Sequence, residues 1–134
     1  MRFEDVDLGD ELPAEHPDIS MPRVEQFTDA AHMRFPRFTD HEAARSEGLP
    51  GALVPGIMSQ ALLATMIHRW APGCRILSLD TVFRGHVVVG TKPTISGAVT
   101  DVDADAKEVE VDLTMTAEDG RTGVMGTAKV AFAD

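Results

Sequence analysis

The stretch Gly56-Ile57-Met58-Ser59-Gln60-Ala61-Leu62-Leu63-Ala64-Thr65-Met66-Ile67-His68-Arg69-Trp70 carries no charged side chain until its last turn. A helix that is apolar on nearly every face belongs in a protein interior. His68 and Arg69 suit the negative end of the helix dipole, and Ala71-Pro72-Gly73 stops the helix. The turn-rich run Leu49-Pro50-Gly51-Ala52-Leu53-Val54-Pro55-Gly56 leads into it with few charges, so this loop is expected to be partly buried.

Outward from that helix the pattern changes. Upstream, Ser20 reads as a helix N-cap with Pro22 just inside, and Val24, Phe27 and Ala31 follow at helical spacing. That helix must end before Pro36. Asp40 reads as a second N-cap, with a short helix over 41–47 stopped by Gly48. Residues 12–20 can add a strand at the start. Downstream, Ile76–Val89 is a long β run. Thr94–Val102 and Val109–Ala117 alternate around a turn at 103–107, and Glu118-Asp119-Gly120 turns the chain into a last strand over Arg121–Phe132. Consecutive strands after one buried helix predict an α+β domain, with an antiparallel sheet wrapped around the long helix. One sheet around one helix leaves a sheet edge open, and dimerisation by edge pairing is the expected remedy.

The 134 residues fit one domain, 1–134, and 43% hydrophobic composition suffices for a core. The formal charge of −10 argues against nucleic-acid binding, which favours basic surfaces. Cys74 is the lone cysteine, so an internal disulfide is excluded and a reducing compartment is expected. The acidic start over residues 1–11 lacks the apolar run of a signal peptide. No stretch has the roughly 20 apolar residues of a membrane span, so the expected location is cytoplasmic, with no membrane partner. No His/Cys/Asp cluster has metal-ligand spacing.

Five segments carry a resemblance. They are Phe3-Glu4-Asp5-Val6-Asp7-Leu8-Gly9-Asp10, Pro36…Thr39-Asp40, Val54-Pro55-Gly56-Ile57-Met58, Leu77-Ser78-Leu79-Asp80-Thr81-Val82-Phe83-Arg84 and Asp119-Gly120…Gly126-Thr127-Ala128. In order and spacing they resemble the MaoC-like (R)-specific enoyl-CoA hydratase/dehydratase family, which has the hot-dog fold. The resemblance implies an acyl-CoA or other acyl thioester as ligand, with coenzyme A part of the substrate and no separate cofactor. It also implies fatty-acid or steroid side-chain metabolism as the setting. In that family a D-x-N-P-x-H-T-D segment supplies an acid–base Asp/His dyad. A glycine in H-G-M supplies a backbone N–H that polarises the thioester carbonyl.

The dyad is not retained. Anchored on Pro36 and Thr39-Asp40, its positions hold Met33 and Phe38, neither of which can exchange a proton. The H-G-M histidine is Pro55, while the glycine survives as Gly56, followed by Ile57 and Met58. Met33, Phe35 and Phe38 either line an acyl tunnel or pack as core. Ser59, one turn into the helix, either bonds substrate or its own backbone. Arg34 and Arg37 either form a cationic mouth for the phosphate of coenzyme A or are solvated loop charges. Asp29 and His32 are spaced to share a helix face, which makes His32 the candidate relocated base. His41 reads as a first-turn surface residue and His86 as structural. Three functions follow. The chain is the non-catalytic partner in a heteromeric hydratase, pairing with a second hot-dog chain. Alternatively, it is a self-sufficient hydratase, dehydratase or thioesterase acting as a homodimer with a relocated base, or a non-catalytic acyl-thioester-binding protein.

Overall fold

A computed structural model describes residues 1–133. A 3-10 turn at Phe3–Asp5 precedes β1 (Glu11–Glu15). Three short helices follow, α1 (Met21–Ala30), α2 (Pro36–Thr39) and α3 (His41–Ser46), and then the long α4 (Gly56–Trp70). The chain finishes in β2 (Arg75–Phe83), β3 (Thr94–Asp103), β4 (Glu108–Thr116) and β5 (Thr122–Ala131). All strands form one antiparallel five-stranded sheet in the order β1-β3-β4-β5-β2. The expected α+β hot-dog arrangement is therefore present, with α4 packed on the inner face of the sheet.

Period-two alternation builds that face. Val109, Val111, Leu113 and Met115 of β4 are buried, while Asp112 between them is exposed. They share one core with Leu63, Met66 and Ile67 of α4. Each fully buried side chain of this size stabilises the fold by about 1.5–3 kcal/mol relative to exposure. The helix approaches β5 closely at Gly126. A Cβ there would stand 3.1 Å from Leu63 Cδ1, so even alanine would require that buried side chain to shift. Gln60 ties α4 to β2, its Nε2 donating to Thr81 Oγ1 at 3.1 Å.

Several expectations shift. α4 is not enclosed on nearly every face. Met58, Ser59, Leu63, Met66 and Ile67 are buried, whereas Ile57, Ala61, Thr65 and His68 form an exposed stripe. The physical reason is that one sheet covers one side of a helix, and nothing else among the described residues covers this stripe. β2 ends at Phe83 rather than running to Val89, because residues 84–89 leave the sheet and bridge to the loop before α4 through Leu53 and Val88. α1 ends at Ala30, before Pro36 as expected, but Ser20 stands at its N-cap without a side-chain capping bond. Asp40 does cap α3, its carboxylate accepting from the Glu42 and Ala43 N–H groups at 3.0 and 3.2 Å.

Candidate functional site

The start of α4 concentrates unused donors. Met58 and Ser59 N–H close on the Pro55 carbonyl at 3.0 and 3.1 Å. The N–H groups of Gly56 and Ile57 find no backbone partner among the described residues, as the first turn of a helix requires. These free amides sit at the positive end of the helix dipole, where developing negative charge is stabilised. One turn on, Ser59 is 2% exposed, and its hydroxyl has no hydrogen-bond partner among the described residues. Thr28, the other buried polar side chain, instead bonds the Val24 and Glu25 carbonyls at 2.9 and 3.1 Å. No fully sealed side-chain oxygen among the described residues lacks a partner, so Ser59 Oγ opens onto accessible space.

Phe83 is the neighbour that the sequence did not reveal. A Cβ on Gly56 would lie 3.0 Å from Phe83 Cζ and 3.1 Å from Cε1, so glycine is what lets the ring lie against the helix start. The ring is 54% exposed in the single chain. It is the last residue of β2, placed inward by strand alternation. Its position inside Leu77–Arg84 was visible in the sequence, but its contact with Gly56 was not.

Met33 and Phe38 are both half-buried, and Phe38 packs against the core. The Phe38 ring lies 6.2 Å from that of Phe35, which is itself exposed. His32 does not share a helix with Asp29. It lies past the end of α1 in the left-handed region (φ 55°), with its side chain exposed. The Asp29 carboxylate is instead engaged by Arg34, which donates from Nη1 at 2.9 and 3.1 Å. Arg34 also reaches Glu25 at 3.4 Å, and Arg37 reaches Glu47 at 3.4 Å. Hydrogen bonding by Asp29 raises the Arg34 pKa further above its already high ordinary value. Both arginines are exposed and already paired with carboxylates.

His41 is not a free surface residue. Its Nδ1 accepts the Ala52 N–H at 3.0 Å, and its ring lies against Gly51. His86 is exposed at the end of a shallow cleft that reaches Glu118 and Asp119. A larger cleft of about 500 Å³ runs along α4, floored by Phe27, Met58 and Leu62. Its rim cations are paired as well, Arg69 with Glu15 at 2.7 Å and Arg23 with Asp18 at 3.9 Å. Among the described residues no group of three or more His, Cys, Asp or Glu side chains is placed to hold a metal ion. No described helix is long and apolar enough to cross a membrane.

No protein-family model matches the sequence, and no curated protein matches it. Solved structures do. The (R)-hydratase from A. caviae involved in PHA biosynthesis superposes with a TM-score of 0.90 at 19% identity, covering 97% of this chain and 99% of that one. The R-hydratase PhaJ1 from Pseudomonas aeruginosa gives 0.90 at 18% identity, over 99% of this chain and 86% of that one. A chain of the ChsH1-ChsH2 complex from Mycobacterium tuberculosis gives 0.87 at 19% identity, over 96% and 99%. The protein has the fold of these structures along essentially its whole length.

Proposed function

We propose that this chain is a MaoC-like hot-dog subunit of an acyl-thioester hydratase. It contributes binding and shape, while a second hot-dog chain contributes the acid–base pair. The observation that carries this reading is the pair of unpartnered amides at Gly56 and Ile57, in a chain whose dyad positions hold Met33 and Phe38. Hydration of an enoyl thioester adds the oxygen of water to Cβ and a proton to Cα. Between those events negative charge collects on the thioester oxygen, and a backbone N–H aimed at that oxygen lowers the barrier. Moving the protons needs groups that titrate. The segment from Asp29 to His41 offers none in a paired arrangement. Asp29 is engaged by Arg34, His32 stands exposed beyond the helix, and His41 accepts from Ala52. The His32-based alternative therefore has no geometric support.

The surface supports a partner chain. β1 and β2 are the two sheet edges. β1 is short, contains Pro13, carries Glu11 and Glu15 and has a bulge, all devices that discourage edge pairing. β2 has neither proline nor bulge over Ser78–Phe83 and exposes Val82 at 48% and Phe83 at 54%. A second hot-dog pairing along β2 would cover these side chains beside the start of α4. The ChsH1-ChsH2 complex, one chain of which has this fold, gives a precedent for such a chain assembled with a different one. The ligand is an acyl-CoA or other acyl thioester. A phosphate at Arg34 or Arg37 would have to displace Asp29 or Glu47.

The test is hydration of crotonyl-CoA by the purified chain, and by the complex that co-purifies with it from the native source. No turnover by the chain alone, with turnover in a complex whose second subunit carries the Asp/His dyad, is the expected result. Robust hydration by the pure chain overturns the proposal. Tight acyl-thioester binding without turnover in any complex would favour a binding protein instead.

A further inference from the structure

We infer that His41 is a positioning residue that sets where the Gly56 N–H points. Its functional half rests on the acyl-thioester reading above, and its structural half does not. The loop before α4 is held by successive backbone amides. Leu53 N–H donates to the Arg37 carbonyl at 2.8 Å, and Val54 N–H donates to the Val87 carbonyl at 2.9 Å. The amide before them, Ala52, faces no carbonyl. Its N–H donates to His41 Nδ1 at 3.0 Å. Ala52 is fully buried, so without the imidazole this donor would be left unsatisfied.

The imidazole itself is held on both sides. Asp40 caps α3 and fixes the backbone from which His41 projects. Gly51 closes against the ring: a Cβ there would sit 3.0 Å from His41 Nδ1 and 3.0 Å from Val88 Cγ1. Accepting at Nδ1 requires that nitrogen to be unprotonated, which leaves the ring proton on Nε2 and excludes the imidazolium form in this geometry. From Ala52 the chain runs through two further tied amides to Pro55, whose carbonyl accepts the first two helical bonds of α4. Pro55 has a restricted φ, so a displacement at Ala52 has few torsions in which to be absorbed before Gly56. An α3 side chain thereby registers the start of the central helix.

The experiment uses the isotope-labelled full chain and follows its amide resonances. In His41→Phe, exchange of the Ala52 N–H should rise about tenfold or more, with displacement of the Gly56 resonance, while Val111 and Val130 in the sheet stay put. His41→Asn can offer Oδ1 where Nδ1 stood and should return both signals toward the parent. An unmoved Gly56 resonance in His41→Phe overturns the inference. Should His41→Phe fail to fold, His41→Gln, whose acceptor reaches one bond further, must displace Gly56 where His41→Asn does not. Equal Gly56 resonances in those two variants overturn it as well. In the active complex, His41→Phe should lower kcat about tenfold with KM within about twofold, as misplacement of a donor does. An unchanged kcat removes the functional half. A parent complex without hydration counts against the proposed function, and the amide signals still decide the positioning.

Discussion

Gly56 combines two properties that different substitutions separate. Gly56→Ala keeps the N–H and adds a Cβ that meets the Phe83 ring at 3.0 Å, and that ring is exposed enough to swing aside. The expected stability change is under about 1 kcal/mol. Gly56→Pro removes the N–H. Proline suits the first helical position, and Pro55 already has the extended ψ of 141° that a following proline demands. The variant should fold, yet, if the chain serves in the proposed hydratase complex, lower its kcat by a factor on the order of 100 relative to Gly56→Ala. Equal rates in the two variants would show that this N–H is not the donor. Cys74 gives a second residue-scale test. Burial pushes its thiol pKa above the ordinary 9.0. The unfolded thiol therefore loses its proton at lower pH than the folded one, and rising pH favours unfolding across that interval. Denaturant midpoints from roughly pH 8 to 10 should fall more steeply in the parent than in Cys74→Ala.

Among the elements, the two sheet edges differ in kind. β1 is guarded by Pro13, its two glutamates and a bulge, whereas β2 has neither proline nor bulge over Ser78–Phe83. Val82→Lys places a charge on the unguarded edge at a side chain that is 48% exposed. The fold should lose no more than about 0.5 kcal/mol, while any assembled species measured by sedimentation should shift to single chains. An assembly indifferent to Val82→Lys would place the partner elsewhere. The short α3 depends on its cap. Asp40→Ala removes the acceptor for the Glu42 and Ala43 amides and should cost about 1 kcal/mol in chemical denaturation. Asp40 was legible as a cap because capping is local, a side chain reaching the next turn of its own chain. The Glu118-Asp119-Gly120 turn was legible for a similar reason, and Gly120 adopts the left-handed φ of 89° that favours glycine.

For the molecule as a whole, the exposed stripe of α4 and the open β2 edge leave part of the central helix and one edge of the sheet uncovered. The chain carries a formal charge of −10, so two copies repel each other at long range. Any self-paired fraction of the pure chain should grow as salt is raised from about 0.05 to 0.5 M, because screening relieves that repulsion. A fraction that shrinks with salt would point to ion pairs across the interface. The long helix 56–70, the alternating strands that follow it and the non-titratable Met33 and Phe38 were all legible in the amino-acid sequence. Each of these is read from spacing along the chain or from side-chain identity. Tertiary structure alone decided that Phe83 lies on Gly56, that His41 holds Ala52, that Asp29 engages Arg34 rather than His32, and that one side of α4 stays open. Those facts depend on which distant segments the closing sheet brings together, and on how much of a helix one sheet can cover.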